Sequence, residues 1–374
     1  MVKLNAEAAR FAAEAWRHIE AKVRQVGGEM TEFPDYTVSG RYRDSGPAGW
    51  TSGFWTGILW KMFLHTGEAR YREAAQAREA AMDSVLSGYD GLHHDVGFMW
   101  LLSSVADWRI TGSEDSRKRG LLAASTLASR LNLHGGFIRA WPGADRAGWA
   151  IIDCMMNINL LYWASETTGD PRFRFAAERH ADTTRRCILR EDGSSNHIVV
   201  FDPETGEVLD RPGGQGYAPG SSWSRGQAWA LYGFALSGRH TQRPEYLDAA
   251  KRVAHYFIAN LPDDGIPAAD FRAPAEPVIR DSSAGAIAAS GLLELAELVP
   301  EAESAMYRRA ALRMLRALDS RCGTWEQPEQ QGLLTMATGA YHDPKEKQHI
   351  SFIFGDYYFV EAISRLMEHD VDFW

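Results

Sequence analysis

Two aspartates stand out among the residues whose types and positions could support chemistry. Asp153 lies in an apolar run from Trp149 to Met156, where a carboxyl group needs polar partners or must be neutral. Asp95 follows His93 and His94, directly before another apolar stretch. Two carboxyl groups that face one pocket suit glycoside hydrolysis, in which one of them has to hold a proton. Asp95 and Asp153 are therefore the candidate catalytic residues.

Aromatic and basic side chains lie near the predicted ends of the same apolar segments. Trp50, Trp223 and Trp229 offer flat rings that can pack against the faces of sugars. Arg225 could form a bidentate pair with a substrate carboxylate, and the alternative is a salt bridge to a neighbouring aspartate. His197 belongs to a long loop, and loops of this kind often carry function.

Other polar residues in these positions have simpler explanations. Asp281 and Asp356 precede apolar helices, and an aspartate there is typical of a helix N-cap. The sequence His93-His94-Asp95 could suggest a metal site. Adjacent residues rarely bind one ion together, and no pair of histidines four residues apart supports them. We expect no metal and no cofactor.

An internal repeat provides the elements that must position these residues. Apolar helices, several ending at a Thr-Gly pair, alternate with more polar and alanine-rich helices along the chain. Glycine directly after an apolar helix is a C-cap signal. The apolar members of the repeat are expected at 58–65, 98–110, 155–166, 228–236, 284–298 and from 356 onward.

Six such pairs predict a closed ring. A helix that is apolar on most faces belongs in the interior, and an amphipathic helix lies outside it. Each pair cannot bury its apolar face alone, so the pairs must stack on one another. The N-terminal helix at residues 6–26 is expected to complete the last pair. The fold class is therefore all-α, an (α/α)6 barrel of six inner and six outer helices, with a long loop at 196–224 that contains a short strand near 198–202.

Composition limits the function classes. The chain has 374 residues, a net charge of −9 and a pI near 5.8, so the basic surface typical of nucleic-acid binding is missing. Three widely spaced cysteines indicate neither a disulfide framework nor a metal knuckle. No linker separates regions of different composition, and no stretch resembles a signal peptide or a membrane span. We expect one domain over residues 1–374, in the cytoplasm, as a monomer or weak homo-oligomer without nucleic-acid or membrane partners.

Six segments together resemble one known family of glycan-degrading enzymes. In chain order they are WTSGFWTGILW, HHDVGFMW, IIDCMMNINLLYWASETTGDP, SSWSRGQAWALYGFAL, RDSSAGAIAASGLLE and GDYYFVEA. This combination, from Trp50 to the end of the chain, is similar to the unsaturated glucuronyl hydrolases, family 88 of the glycoside hydrolases. The family has an (α/α)6 barrel, in agreement with the six pairs counted above.

The resemblance implies a reaction. Asp153 would be the general acid and base, which protonates C4 of a C4=C5 double bond and activates the water that attacks C5. Asp95 would hold the ring hydroxyl groups and tune the proton on Asp153. The implied substrate is a short oligosaccharide that carries a 4,5-unsaturated uronic acid at its non-reducing end. The resemblance further implies substrate-binding roles for Trp50, His94, His197, Gln215, Trp223, Arg225 and Trp229.

Two loops depart from the family pattern. The first, residues 211–219, surrounds Gln215, and the second covers residues 341–351. Lys345 and Lys347 in the second loop could face the next sugar. The alternative, a solvated charged loop, is the more ordinary outcome for such residues. The parent polysaccharide and the preference for sulfated sugars therefore stay open.

Three other functions are compatible with parts of the pattern. An unsaturated rhamnogalacturonyl hydrolase shares the barrel and the chemistry but acts on pectin fragments. A sugar epimerase or a polysaccharide lyase on the same barrel would be expected to use paired histidines or a tyrosine base instead of paired aspartates. A glycan-binding protein would keep the tryptophans but has no need for Asp153 in an apolar setting.

Overall fold

The computed structural model describes residues 6–367 and 371–374, and helices make up most of them. The α-helices are α1 Ala6–Val26, α2 Ser52–Thr66, α3 Ala69–Ala81, α4 Asp83–Gly88, α5 Val96–Trp100, α6 Ala106–Thr111, α7 Glu114–Ser129, α8 Cys154–Asn157, α9 Asn159–Thr168, α10 Pro171–Thr183, α11 Ser224–Thr241, α12 Pro244–Ala259, α13 Ser282–Leu298, α14 Glu301–Arg321 and α15 Ile353–Leu366. The strands are β1 Pro34–Val38, β2 Arg41–Asp44, β3 Leu131–Asn132, β4 Phe137–Ile138, β5 Trp149–Ile151, β6 Ile198–Phe201 and β7 Val208–Asp210.

Six inner elements form a closed ring, and the predicted barrel is confirmed. They are α2, α5 with α6, α8 with α9, α11, α13 and α15, and a π-helical turn at Leu101–Val105 joins α5 to α6. Each contacts the next, and α15 contacts α2. Burial explains the arrangement, since α13 is buried from Ser282 to Ala296 without interruption. A helix with no polar face is stable only when other helices surround it.

The outer layer consists of α3, α7, α10, α12, α14 and α1, each packed against inner helices. The predicted role of the N-terminal helix is confirmed, because α1 packs on α15 and α14. Its buried face includes Ala12, Trp16, Ile19 and Val23, which recur at helical spacing. The last apolar helix is thus covered by the first helix of the chain.

Glycine caps end three of the inner elements as predicted. Gly67, Gly112 and Gly169 adopt left-handed φ values of 70°, 77° and 71°. Each N–H donates to a carbonyl in the preceding turn, such as that of Phe63 for Gly67. Gln242 takes the same conformation after α11, with φ of 57°. The left-handed residue satisfies carbonyls that the helix leaves unpaired and turns the chain outward.

Short strands and loops gather at the ends where the inner helices begin. Strands β5, β6 and β7 form one antiparallel sheet, and β6 confirms the strand expected near 198–202. Strands β1 and β2 form a hairpin that the sequence reasoning missed. Its turn at Ser39-Gly40 has positive φ at both residues, a geometry typical of two-residue hairpin loops.

The assignment of Asp356 as a helix cap is wrong. Helix α15 begins at Ile353 after Phe352, so Asp356 lies inside its first turn and is buried. Its carboxylate accepts hydrogen bonds from Tyr42 Oη at 2.7 Å and from Leu333 N at 2.8 Å. The Asp356 carboxylate therefore links α15 to the segments that contain Tyr42 and Leu333 and does not cap its own helix.

The opposite end of the ring is filled by residues 371–374, which we call the 371–374 segment. Phe373 and Trp374 are buried. Trp374 Nε1 donates to Glu361 Oε2 at 2.6 Å, and Asp372 pairs with Arg239 at 2.5 Å. Among the described residues, no helix is both long enough and apolar enough to cross a bilayer.

Candidate active site

A cavity of about 270 Å³ opens among the N-terminal ends of the inner helices. Six of the nine predicted site residues line it, and they are Trp50, Asp153, Gln215, Trp223, Arg225 and Trp229. The other three lie behind the lining residues. Asp95 and His94 precede the second inner element, and His197 contacts Trp223 and Asp153. The structure therefore brings the whole predicted set to one end of the barrel.

Asp153 is held at this end by the small sheet. Strand β5 ends at Ile151, and Ile152 N donates to the carbonyl of His197 at 3.0 Å, so that Asp153 directly precedes α8. Its buried Oδ1 accepts no hydrogen bond from the described residues, and the nearest donor, His197 Nε2, is 3.5 Å away. The carboxyl group also lines the cavity. A carboxyl group so placed can exchange a proton with a bound molecule.

The tautomer of His197 follows from its surroundings. Gln215 N donates to His197 Nδ1 at 2.9 Å, so Nδ1 must be unprotonated. The proton of the neutral ring is then on Nε2, which points to Asp153 Oδ1. Gly214 permits this approach, since a Cβ at this position would lie 2.0 Å from His197 Nδ1. His197 thus gives Asp153 a neutral donor rather than a cation.

We expect Gly214→Ala to lower kcat about 10- to 100-fold, because the new methyl group must displace His197 and small misplacements near a reacting group are costly. Gly220→Ala is the matched control. Both glycines have left-handed φ values, +60° and +79°, but a Cβ at Gly220 meets no atom within 4 Å. Steady-state rates of the two variants at equal thermal stability test this, and an equal loss in both would contradict it.

Asp95 lies among three polar side chains at the start of α5. Its Oδ2 is 3.3 Å from His93 Nδ1, and its Oδ1 is 3.1 Å from His94 Nε2. Asn157 Nδ2 donates to the same Oδ1 at 3.1 Å. Burial alone would raise the pKa of Asp95, but the charge of His94 and the hydrogen bonds from both histidines outweigh it and lower the pKa. Asp95 is therefore an anion in the folded protein.

His94 is the cation that matches this anion. Its Nδ1 lies 2.9 Å from the carbonyl oxygen of Ala140, which can only accept, and its Nε2 faces the Asp95 carboxylate. Both ring nitrogens must then carry protons. Burial lowers the pKa of His94, but the charge and hydrogen bond of Asp95 prevail and raise it above its ordinary value of 6.5. A buried ion pair thus lies behind Asp153 and is joined to it through Asn157.

The pairing gives stability a defined pH dependence. Because the folded-state pKa of His94 is raised, its contribution is complete below the ordinary value of 6.5 and is lost as pH rises through the raised pKa. We expect His94→Gln to reduce the free energy of unfolding by about 2 kcal/mol near pH 6, since hydrogen bonds to charged groups have this magnitude. The difference from the unsubstituted protein should shrink as pH rises through the raised pKa of His94.

Denaturant unfolding at several pH values measures this difference. His134→Gln, a change at an exposed histidine, is the control and should follow the unsubstituted protein throughout. A destabilisation by His94→Gln that stays constant between about pH 5 and about pH 9 would mean that His94 is neutral in the fold.

Asn157 links the two aspartates, and the sequence reasoning missed it. Its Nδ2 donates to Asp95 Oδ1 and, at 3.2 Å, to the carbonyl of Asp153. Its Oδ1 accepts from Phe98 N at 2.8 Å. The sequence held a signal, because a polar residue four positions after Asp153 in an apolar helix lies on the same face.

Arg225 makes the salt bridge that was the alternative to binding substrate. Its Nη1 lies 2.5 Å from Asp281 Oδ2 and donates to Ser283 Oγ at 3.1 Å. The guanidinium stacks between Trp223 and Phe354, with 4.6 and 5.1 Å to the ring centroids. Arg225 also lines the cavity, so its contact with a substrate stays a prediction. Asp281 caps α13 as expected, accepting from Ser283 N.

The three groups His93, His94 and Asp95 were considered as a metal site. Their potential ligand atoms lie within 4.8 Å of one another. His94, however, uses one nitrogen on the carbonyl of Ala140 and the other on Asp95. Both ring nitrogens of His94 are thus turned to other groups, an arrangement that fits an ion pair better than a set of metal ligands.

The cavity has a second wall, of which the sequence suggested only Lys347. It is formed by Asp35, Tyr36, Gly339, Ala340, Asp343, Lys347, Phe352 and Phe354. Lys347 lines the cavity with its Nζ 5.3 Å from the Tyr36 ring, whereas Lys345 is not among the lining residues. Burial raises the pKa of Asp35, against the charges of Arg43 and Lys347. These residues come from the missed hairpin, from the loop before α15 and from the first turn of α15.

Comparison with known proteins places the chain among glycan hydrolases. The profile of Glycosyl Hydrolase Family 88 matches residues 22–372. An unsaturated glucuronyl hydrolase of Bacillus sp. (strain GL1) is 40% identical over 348 residues, 90% of this chain and 91% of the relative. An unsaturated chondroitin disaccharide hydrolase of Streptococcus pyogenes serotype M1 is 35% identical, covering 95% and 92%. The structure of a mutant unsaturated glucuronyl hydrolase from Streptococcus agalactiae complexed with dGlcA-GalNAc6S superposes with a TM-score of 0.84 at 30% identity, covering 97% and 94%.

Proposed function

Since the chain belongs to glycoside hydrolase family 88, we propose that it releases the 4,5-unsaturated uronic acid from the non-reducing end of glycosaminoglycan-type oligosaccharides made by lyases. One observation carries the proposal. The Asp153 carboxyl group faces the cavity beside the neutral donor His197, with the anion Asp95 held by His94. This arrangement offers one carboxyl group free to move a proton and a second that is fixed as an anion.

The reaction is a hydration rather than a direct cleavage. Asp153 gives a proton to C4 of the C4=C5 enol ether, and positive charge develops at C5. A water molecule then adds to C5 and returns a proton to Asp153, so the carboxyl group is regenerated. The product is a hemiketal at C5, which opens and releases the next sugar. The step uses one water and forms no covalent sugar–enzyme bond.

The remaining predicted residues hold the sugar for this step. Asp95, an anionic acceptor, would bind ring hydroxyl groups through charge-assisted hydrogen bonds. Trp50, Trp223 and Trp229 would pack against the ring faces. The Gln215 side chain donates to the carbonyl of Gly339 at 2.8 Å, which leaves its oxygen for a sugar hydroxyl.

The shape of the cavity supports action at a chain end. Its volume of about 270 Å³ suits a terminal sugar and part of the next one. The 371–374 segment occupies the other end of the ring. A polysaccharide therefore has no route through the barrel, and an oligosaccharide must enter by its end.

The same proposal extends to organisation and location. We treat residues 1–374 as one catalytic domain, a view supported by the packing of α1 on α15. Cys154, Cys187 and Cys322 are all unpaired, which suits the reducing cytoplasm. The monomeric or weakly associated state stays a prediction, and sedimentation of the purified protein measures it.

Loss of ultraviolet absorbance tests the function directly, because the conjugated C4=C5 bond absorbs and the hydrated product does not. Chondroitin, hyaluronan and heparin are digested separately with lyases, and each product is mixed with the protein without added metal or nucleotide. Loss of absorbance establishes the hydration and ranks the substrates. No loss on any of these, combined with loss on pectin-derived fragments, would favour the rhamnogalacturonyl alternative.

A further inference from the structure

The 371–374 segment reaches the interior of the barrel from the end opposite the cavity. Its partners lie in the C-terminal halves of the inner helices. Lys61 of α2 donates to the carbonyl of Val371 at 2.8 Å, and Arg109 of α6 donates to that of Asp372. Arg239 of α11 pairs with the Asp372 carboxylate at 2.5 Å. Cations from three helices therefore fix a segment of four residues.

Trp374 continues this segment toward the ring axis. It is 1% exposed, and its Nε1 donates to the buried Glu361, which also accepts from Tyr232 and Tyr357 at 2.8 Å each. Its rings stack on Tyr358, with 5.9 Å between centroids and an interplanar angle of 7°. The indole is thus held both by its polar edge and by its face.

One layer of aromatic rings separates Trp374 from the cavity. Phe98 lies 6.2 Å from Trp374 in an edge contact, and Tyr358 stacks on it. Both also contact Trp229, at 5.2 Å for Phe98 and 5.4 Å for Tyr358. Phe98 further contacts Trp50 at 5.8 Å. Trp50 and Trp229 line the cavity, so Trp374 supports its floor from beneath.

We propose that Trp374 is a positioning residue for the reaction. It fills the space under Phe98 and Tyr358 and so fixes the positions of Trp50 and Trp229 in the cavity floor. These two rings in turn set the distance between the bound sugar and Asp153. This inference rests on the proposed function. Protein interiors are close-packed, so a void beneath an aromatic layer is relieved by movement of that layer. A shift of the floor moves C4 of the substrate away from the proton donor.

The test compares Trp374→Ala with Trp374→Phe. The alanine variant removes both rings of the indole, whereas phenylalanine keeps one aromatic ring and loses the second ring and the hydrogen bond to Glu361. We expect kcat on an unsaturated disaccharide to fall about 10- to 100-fold in the alanine variant, as misplacement of about 1 Å can cause. The phenylalanine variant should stay within about threefold of the unsubstituted protein, and KM should change less than kcat in both.

Leu315→Ala separates positioning from general stability. Leu315 is buried in α14 of the outer layer, so its truncation destabilises the protein without touching the aromatic layer. All rates are divided by the folded fraction, measured by thermal unfolding. Added indole should raise the rate of Trp374→Ala but not that of Leu315→Ala, because an apolar cavity can bind an aromatic molecule of matching size.

The outcomes are distinct. Equal losses of kcat per folded molecule in Trp374→Ala and Leu315→Ala, or an equal loss in the alanine and phenylalanine variants, would overturn the inference. If Trp374→Ala does not fold, Trp374→Leu is measured against Leu315→Ala in the same way. An active unsubstituted protein with unaffected variants refutes this inference alone, whereas an inactive unsubstituted protein refutes the proposed function as well.

Discussion

Asp153→Asn should lower kcat about 10³-fold, within the range that a general acid–base group contributes. The amide has the shape of the carboxyl group but can neither deliver a proton to C4 nor accept one from water. Little stability should be lost, because Asp153 Oδ1 accepts no hydrogen bond from the described residues and His197 Nε2 is 3.5 Å away. The measurement is the rate of absorbance loss at saturating disaccharide, together with calorimetric binding of the same disaccharide.

Asp145→Asn is the matched control, since it makes the same change at a carboxylate whose side chain is 81% exposed. It should keep the full rate. If the protein only bound glycans, neither the unsubstituted protein nor the variants would show turnover, and both variants would keep their affinity for the disaccharide. An unaltered rate in Asp153→Asn would refute the assignment of Asp153.

Asp95→Asn should lower kcat/KM about 10²-fold, because the anionic acceptor for ring hydroxyl groups is lost and charge-assisted hydrogen bonds are about twice as strong as neutral ones. The fold should survive the change. The amide oxygen can take the place of Asp95 Oδ1, where it accepts from Asn157 Nδ2 and faces His94 Nε2. The negative charge is lost while the hydrogen bond from Asn157 remains.

Asp95→Ala provides the contrast. It removes one of the two acceptors of Asn157 Nδ2 and the carboxylate that faces His94 Nε2, and buried polar groups that lose a partner are expensive. We expect it to reduce the midpoint of thermal unfolding well below that of Asp95→Asn at a similar loss of rate. Equal rates in Asp95→Asn and the unsubstituted protein would show that the anion has no part in catalysis.

The sequence was sufficient for the barrel because the barrel rests on local signals. Apolar helices, glycine caps and the amphipathic helix at 6–26 can each be identified within about 20 residues, and six repeats leave few ways to bury the apolar faces. The ends of the same helices carry Trp50, Asp95, Asp153 and Trp223. Because the ring brings these helix ends together, the sequence also predicted that the four side chains lie close to one another.

The missing part of the site depends on contacts between distant segments. Asp356 bonds to Tyr42, 314 residues away, and no periodic pattern encodes that pairing. Lys347 reaches the cavity because its loop lies against Tyr36 on a hairpin far away in sequence. On chemical grounds Arg225 could pair with a substrate carboxylate or with a neighbouring aspartate. Only the folded chain shows that Asp281 is within reach.

The common direction of the inner helices has an electrostatic consequence. Each helix N-terminus carries a partial positive charge of about half an elementary charge, from peptide dipoles that add along the axis. The inner elements begin around one cavity, so their backbones create a positive field there in a chain of net charge −9. This field decays within one helical turn. It therefore favours the carboxylate of a bound uronic acid at short range and leaves the outer surface free to repel long polyanions.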